Sequence, residues 1–322
     1  MTATQRIERE GVIDADQAGR RLDQALAAVF SEFSRSQLQR WLASGAITVD
    51  GAAAPRRLRV AGGERVILSA ELAVDGVVTP EPIPLEVHHE DNAILVVNKP
   101  PGLVVHPGAG NPDGTLQNAL LYHYPELGAL PRSGLVHRLD RDTSGLMVIA
   151  RTHEAHQSLV GQLQSRTMGR AYRALVAGQF TAGGVIDEPI GRHPTDRTRM
   201  AVRREGRRAV THYRIDEAFA GHSLLRCYLE TGRTHQIRVH LAHIRHPIVG
   251  DPTYGGRLKL PPGADEAVTS ALRAFGRQAL HAEQLTLNHP SSGEVCSWAV
   301  APPEDFHDLL TALRAHRDAD SD

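Results

Sequence analysis

Cysteine is scarce in this 322-residue sequence, which contains only Cys227 and Cys296. Two cysteines so far apart exclude a disulfide framework and a zinc site built on cysteine ligands, and they are typical of a reducing compartment. Long apolar runs are also missing, since stretches such as residues 93–97 are far too short to cross a bilayer. The N-terminus is too polar for a signal peptide. We therefore expect a cytoplasmic protein that does not enter the membrane.

Net charge is nearly absent as well, because 36 lysines and arginines stand against 37 aspartates and glutamates. The distribution of charge says more about partners than its sum. Between residues 20 and 65 there are eight arginines and four acids, and between residues 192 and 214 eight arginines and two acids. These two basic patches are compatible with a nucleic-acid partner. Solvated surface faces would explain either patch equally well.

The chain divides by composition into a small and a large part. Residues 18–75 show apolar residues at helical spacing, then a strand that runs into an Asp-Gly turn, then a second strand. This order predicts a small domain of two helices and a hairpin. An acidic, proline-containing linker follows at residues 76–84. Residues 85–315 mix short strands and helices without a regular βαβ alternation, which predicts an α+β fold.

The most informative segment is residues 137–146, His-Arg-Leu-Asp-Arg-Asp-Thr-Ser-Gly-Leu. It brings two guanidiniums, from Arg138 and Arg141, close to two carboxylates, from Asp140 and Asp142, directly before an apolar run. Charges this close together beside a buried strand destabilise the fold unless each one is paired or serves a function. A solvated turn is the alternative explanation. In the functional interpretation one aspartate does chemistry and the other braces the turn.

Three further segments contain residues suited to binding a nucleotide. In residues 170–176, Tyr172 alternates with basic residues on a predicted strand, where its ring either stacks on a base or packs in the core. In residues 229–240, Arg238 belongs to a predicted helix start whose free amides and arginines suit an anion. The last segment is residues 279–285, shortly before a His-Pro pair.

The sequence offers little to a metal ion or a nucleotide cofactor. Four histidines lie close together, but their spacing fits no strong metal motif: His235, His240, His243 and His246. The glycine-containing stretch at residues 108–110 lacks the Lys-Ser/Thr pair of a P-loop. We therefore predict neither a metal nor a cofactor.

In this order the segments resemble the RluA-type pseudouridine synthases, and the likeness covers nearly the whole chain. Residues 137–146 are similar to the active-site signature of that family, and residues 99–107 and 246–255 are similar to two of its loops. Residues 18–75 resemble an S4 RNA-binding domain. The resemblance implies a catalytic domain over residues 85–315, built on a mixed, mostly antiparallel sheet with flanking helices.

The resemblance also implies roles for individual residues. Asp140 matches the catalytic aspartate, Tyr172 the tyrosine that stacks on the target base, and Arg238 the arginine that pairs with the aspartate. Arg138 matches an arginine that helps to displace the uridine, and Leu285 matches an apolar residue of the pocket. No cofactor is implied, because isomerising uridine imports no group and changes no redox state. The target base is expected to flip out, with arginines holding the phosphates.

At the level of function, the resemblance implies a monomeric enzyme that isomerises uridines in large-subunit (23S) ribosomal RNA. The D type of the family fits best, and the C type, which also has an S4 module, stays open. Two other interpretations are a ribosome-assembly factor that binds RNA without catalysis and a glycoside hydrolase using Asp140 and Asp142. A pure binder has no use for a carboxylate facing a polyanion. Two residues of one turn are poorly placed to straddle a glycosidic bond.

Two features depart from the usual pattern of the family. The hairpin tip at residues 51–55 lacks the lysine often found there, and Arg141 stands where many relatives have lysine. The arginine-rich residues 192–208 are expected to form a mobile loop that contacts RNA.

Overall fold

The computed structural model describes residues 4–31, 33, 35–73, 78–108, 110–196 and 198–319. The chain forms two compact units, Met1–Val77 and Val78–Asp322. The smaller unit contains β1 (Thr4–Val12), α1 (Leu22–Val29), α2 (Arg35–Ala43), β2 (Ile47–Val49), β3 (Ala52–Ala53) and β4 (Arg65–Ala73). Its strands form an antiparallel sheet in the order β1-β4-β2-β3.

The helices and the hairpin of the smaller unit form where the sequence predicts them. Leu22, Leu26 and Leu38 lie on the apolar stripes of α1 and α2 and pack into one buried cluster. The hairpin turns at Asp50 and Gly51, whose φ values of 49° and 80° are the positive ones that such a turn requires. The predicted start at residue 18 is too late, because β1 pairs along β4. The sequence does not predict β1 because an edge strand exposes much of its surface and is therefore mostly polar.

The predicted linker at residues 76–84 differs from the structure. Residues 76 and 77 lie outside the described residues, and residues 78–84 belong to the larger unit. There the backbone N–H of Glu81 donates to the carbonyl of Asn118 at 3.1 Å, and the Asn118 side-chain amide donates to the carbonyl of Thr79 at 2.8 Å. Hydrogen bonds therefore fix a segment whose composition is typical of a linker.

The larger unit surrounds one long sheet. Its elements are β5 (Glu86–Glu90), β6 (Ile94–Lys99), α3 (Leu116–His123), β7 (Ser144–Ala150), α4 (His153–Ser165), β8 (Gly169–Ala177), β9 (Gly184–Asp187), β10 (Ile190–Arg192), β11 (Met200–Val202), β12 (Val210–Phe219), β13 (His222–Leu229), α5 (Gln236–His243), α6 (Glu266–Ala274), β14 (Leu280–Asn288), β15 (Val295–Ala299) and α7 (Glu304–Ala319). The strand order is β5-β6-β7-β14-β8-β13-β12-β9, with β15 paired to β14. The pairs are antiparallel except β7 with β14. The predicted α+β class, a mixed sheet with flanking helices, is confirmed.

Strand alternation divides the core between the two faces of this sheet. Leu95 and Met147 join the large cluster that also contains side chains of α3, α6 and α7, whereas Val96 and Leu146 join a smaller cluster with α4. The same alternation decides which side chains of β8 and β14 reach the site described below. No helix in the described part of the chain is long and apolar enough to span a membrane.

The arginine-rich residues 192–208 are partly regular. β10 and β11 pair as a short antiparallel ribbon, with Arg192 opposite Met200. Residue 197 of this segment lies outside the described residues.

Candidate active site

A cavity of about 600 Å³ lies in the larger unit, where the loop before β7, strand β8 and the start of α5 meet. Its lining includes Arg138, Asp140, Tyr172 and Arg238. These are four of the five residues to which the resemblance assigns a role, and the fold brings them together from three separate segments. A cavity of this size has room for a nucleotide.

Asp140 lies in the turn that leads into β7, where its carbonyl accepts a hydrogen bond from the backbone N–H of Thr143 at 3.1 Å. Its side chain is 16% exposed. The Oδ2 atom accepts a hydrogen bond from Nη1 of Arg238 at 3.0 Å. Among the described residues none donates a hydrogen bond to Oδ1. One oxygen of the carboxylate is thus bound and the other is available to a ligand.

Arg238 is held on its other edge by Asp251. Nε and Nη2 of the guanidinium donate to the two oxygens of Asp251 at 2.7 and 2.9 Å. The Asp251 side chain is fully buried and also accepts the backbone N–H groups of Thr253 and Tyr254. Burial alone would raise the pKa of Asp251, but Arg238 and these two amides hold that pKa below its ordinary value. Burial also opposes the charge of Arg238, yet the neighbouring aspartates raise its pKa, so the guanidinium stays charged.

Tyr172 and Arg138 differ in their exposure. Tyr172 is buried on β8, and burial raises the pKa of its phenol, so the cavity wall presents a neutral ring. Arg138 is exposed, with Nη1 lying 3.4 Å from Nε2 of His106. No described carboxylate pairs with Arg138, which leaves this guanidinium able to move toward a ligand.

Leu285 is not part of this group. It lies on β14, packs in the smaller core cluster and is absent from the cavity lining. Side chains alternate along a strand, and Leu280, which lies an odd number of positions earlier, lines the cavity instead. The structure therefore gives the wall position to Leu280 and not to the predicted Leu285.

Lys99 supports the turn that carries Asp140. It is fully buried, and its Nζ donates to the carbonyls of Pro100, Leu103 and Arg141 at 2.8, 2.9 and 2.8 Å. Burial lowers the pKa of Lys99 to about 7. Lys99 lies in a loop similar to one of the family's, but the sequence predicts no role for it because its partners are backbone atoms.

Arg170 is a further cation in the cavity wall, beside Arg138 and Arg238. Its Nε atom is buried without a hydrogen-bond partner, and among the described residues no carboxylate pairs with its guanidinium. Gly232 leaves it room, since a Cβ atom at that position would lie 3.0 Å from Nη1 of Arg170. A partly buried and unpaired cation is costly, so this position favours an anionic ligand.

Three of the four histidines weighed as metal ligands, His235, His240 and His246, have other partners. His235 lies with Nε2 3.8 Å from Oδ1 of Asp140, and His240 contacts the Thr211 hydroxyl and the carbonyl of Glu188. Among the residues that the structure describes, no group of three or more His, Cys, Asp or Glu side chains could hold a metal ion.

Known proteins share both the sequence and the fold. Residues 93–243, which include the four cavity residues, match the family model described as RNA pseudouridylate synthase. "Ribosomal large subunit pseudouridine synthase D" of Xanthomonas campestris pv. campestris is 55% identical over 95% of this chain and 92% of its own length. The protein of the same name from Escherichia coli strain K12 is 52% identical over 97% of this chain and 96% of its own length.

Two solved human structures are similar to the larger part of the chain. "RNA Pseudouridylate Synthase Domain Containing 4" has a TM-score of 0.56 and 26% identity, covering 71% of this chain and 93% of its own. "RNA Pseudouridylate Synthase Domain Containing 1" has a TM-score of 0.53 and 27% identity, covering 73% and 96%. Sequence, fold and cavity agree with the predicted resemblance: the chain belongs to the RNA pseudouridylate synthase family and is an RNA pseudouridine synthase.

Proposed function

We propose that this enzyme isomerises specific uridines of large-subunit (23S) ribosomal RNA to pseudouridine, with Asp140 as its catalytic residue. The observation that carries the proposal is the 3.0 Å contact between Asp140 and Arg238 inside a nucleotide-sized cavity walled by Tyr172. The names of the two bacterial relatives supply the class of RNA. They favour the D type over the C type.

The reaction breaks the N1–C1′ bond of uridine, turns the base and joins C5 to C1′. N1 gains a proton and C5 loses one, so the atoms balance without an imported group or an electron carrier. An anionic side chain at the sugar or at the base is sufficient for such a step. Asp140 supplies it through Oδ1, by attacking the sugar, by attacking the base, or by removing a proton from the sugar.

The other cavity residues act on binding and orientation. The uridine flips out of its helix or loop to reach the cavity, where it stacks on Tyr172, while Arg138 fills the space that the base leaves. Arg170 binds a backbone phosphate, because its charge has no described carboxylate to neutralise it. Leu280 packs against the flipped base in the place predicted for Leu285.

The smaller unit serves as an S4-like RNA-binding domain. Its two helices and hairpin support this assignment, and so do Arg56, Arg57 and Arg59, which are all exposed. The segment at residues 192–208 adds a second arginine-rich surface for phosphates. A cytoplasmic location and a monomeric state remain predictions.

The test is to map pseudouridines in RNA from cells that lack this protein. Specific pseudouridines should disappear from large-subunit ribosomal RNA and return with the wild-type protein but not with Asp140→Asn. The positions that disappear also separate the D type from the C type. Unchanged large-subunit RNA would overturn the proposed substrate, and restoration by Asp140→Asn would overturn the role of Asp140.

A further inference from the structure

His235 has a strained backbone beside the catalytic carboxylate. It precedes α5 in the left-handed region, with φ 56° and ψ 23°. For a residue with a Cβ atom this conformation costs about 1–2 kcal/mol, and it persists where the surroundings fix it. Its side chain is 21% exposed, and Nε2 lies 3.8 Å from Oδ1 of Asp140.

Tyr254 fixes the other side of the imidazole. The Tyr254 hydroxyl accepts a hydrogen bond from the backbone N–H of Met200 at 2.9 Å and lies 2.9 Å from Nδ1 of His235. A phenol has one proton to donate, and no other acceptor for it is found among the described residues. The phenol therefore donates to Nδ1, which places the proton of the neutral imidazole on Nε2.

The opposite tautomer would be unfavourable at both ends. A bare Nε2 lone pair would face the negative Oδ1 of Asp140, and the phenol proton would lose its acceptor. Burial also lowers the pKa of His235, so the ring is neutral near pH 7. The result is an N–H donor 3.8 Å from Oδ1, the oxygen of Asp140 that Arg238 leaves unbound.

The ring of Tyr254 contacts Arg238 as well. The guanidinium carbons of Arg238 and Arg199 lie 5.1 and 5.3 Å from the ring centroid, within cation–π distance. The Tyr254 backbone N–H donates to Asp251 at 3.0 Å. One tyrosine thus contacts the groups that orient both oxygens of Asp140.

We propose that His235 is a positioning residue for Asp140, held by Tyr254 as the Nε2–H tautomer so that it orients Oδ1 toward the flipped nucleotide. This inference rests on the proposed role of Asp140. The 3.8 Å separation is too long for a hydrogen bond. The contact shortens when the nucleotide fills the cavity and excludes water, as catalytic hydrogen bonds commonly do on substrate binding.

The first test compares two side chains of similar length. His235→Gln keeps an N–H donor near the position of Nε2, and His235→Met removes it. The single-turnover rate should fall about 10–100-fold in His235→Met and less than about fivefold in His235→Gln, as expected for loss of a group that orients another. The Kd for RNA should be unchanged in both. His243→Met, an exposed histidine at the end of α5, should match the wild type and serves as the control.

The second test reads the tautomer directly in protein labelled with ¹⁵N-histidine. The His235 signals, assigned by their loss in His235→Gln, should show an unprotonated Nδ1 and a protonated Nε2. In Tyr254→Phe, which keeps the ring but lacks the hydroxyl, this fixed pattern should be lost.

The outcomes separate this inference from the proposed function. A wild-type rate in His235→Met, or a protonated Nδ1 in the wild type, overturns the inference while Asp140→Asn stays inactive. Activity of Asp140→Asn itself overturns the function on which the inference rests. A rate loss in His235→Met that is matched by weaker RNA binding also overturns it, because a positioning residue changes the rate and not the affinity.

Discussion

Asp251 binds Arg238 through Nε and Nη2 and leaves Nη1 for Asp140. The guanidinium of Arg238 therefore joins two aspartates. Asp251 is buried and does not line the cavity, whereas Asp140 is partly exposed and does. The bidentate contact with Asp251 fixes the plane of the Arg238 guanidinium. That plane in turn fixes the position of Nη1, which binds Asp140. Orientation of the catalytic carboxylate thus depends on a residue outside the motif that contains it.

The first prediction follows from this pair. Asp251→Asn keeps the shape of the side chain but leaves Arg238 buried with half of its countercharge gone. We expect a loss of about 3 kcal/mol in the free energy of unfolding and a fall of about 10–100-fold in the single-turnover rate. Urea denaturation and rapid-quench assays measure these two quantities.

Asp216 provides the matched control for Asp251. It forms a partly exposed ion pair with Arg226 at 3.2 Å, and Arg226 keeps a second carboxylate partner in Glu283 at 3.4 Å. Asp216→Asn should cost less than about 1 kcal/mol and leave the rate unchanged. Equal losses in the two variants would contradict the role given to Asp251.

The second prediction concerns Arg170. Arg170→Gln should weaken RNA binding and lower the slope of log K against log salt by about 1, as expected for one lost phosphate contact. Filter binding between low and high salt measures the slope. The exposed Arg273→Gln on α6 should leave it unchanged. An unchanged slope in Arg170→Gln would exclude a phosphate contact.

Gly232→Ala tests the same position without removing a charge. Its new Cβ atom would lie 3.0 Å from Nη1 of Arg170, so the guanidinium must shift. RNA affinity should fall in the same direction as in Arg170→Gln but by less. The double variant should be no weaker than Arg170→Gln, because both changes act on one contact. Additive losses would show that Gly232 acts on RNA independently.

The third prediction is a pH dependence of stability. His281 is fully buried; its Nδ1 contacts the Ser144 hydroxyl at 2.9 Å, and its Nε2 contacts the carbonyl of Val300 at 3.2 Å. Burial lowers the pKa of His281 to about 4. The unfolded chain, with a histidine pKa of about 6.5, then binds more protons than the folded one, so stability is full above pH 6.5 and falls as pH drops toward 4.

Between pH 7 and pH 5, His281 should account for a loss of about 2 kcal/mol in the free energy of unfolding. His281→Gln can keep both hydrogen bonds but does not titrate. Its unfolding free energy should therefore fall by about 2 kcal/mol less than that of the wild type over this range. Urea denaturation at the two pH values gives the comparison, and parallel losses would contradict the assignment.

The sequence predicted the elements whose apolar pattern is strong and missed those whose pattern is diluted by charge. β8 covers the strand predicted around Tyr172, and α5 begins inside the segment predicted to open a helix before Arg238. α7 has a charged sequence from which no helix was predicted, yet its Phe306, Leu309 and Leu313 form a buried stripe. A few apolar residues at helical spacing suffice for burial, although the composition around them is charged.

The site shows the same division. Asp140, Tyr172, Arg138 and Arg238 could be named because a contiguous motif or a local match contains each of them. Lys99, Asp251 and His235 act through contacts between distant segments, which local spacing does not reveal. Leu285 was predicted to line the pocket, but Leu280 lines it instead. Side chains alternate along β14, and the resemblance did not show on which side of the strand each leucine lies.

Asp140 and Asp142 provide the most direct test of the central claim, because two carboxylates of one turn differ in placement. Asp140 lines the cavity, whereas Asp142 is absent from its lining and has its Oδ1 3.7 Å from Nε of Arg141. Tritium release from ribosomal RNA labelled at uridine C5 measures the isomerisation. We predict a loss of at least about 1000-fold in Asp140→Asn, with RNA binding retained, and less than about fivefold in Asp142→Asn. Release by Asp140→Asn at the rate of the wild type, or an equal loss in both variants, would contradict the account.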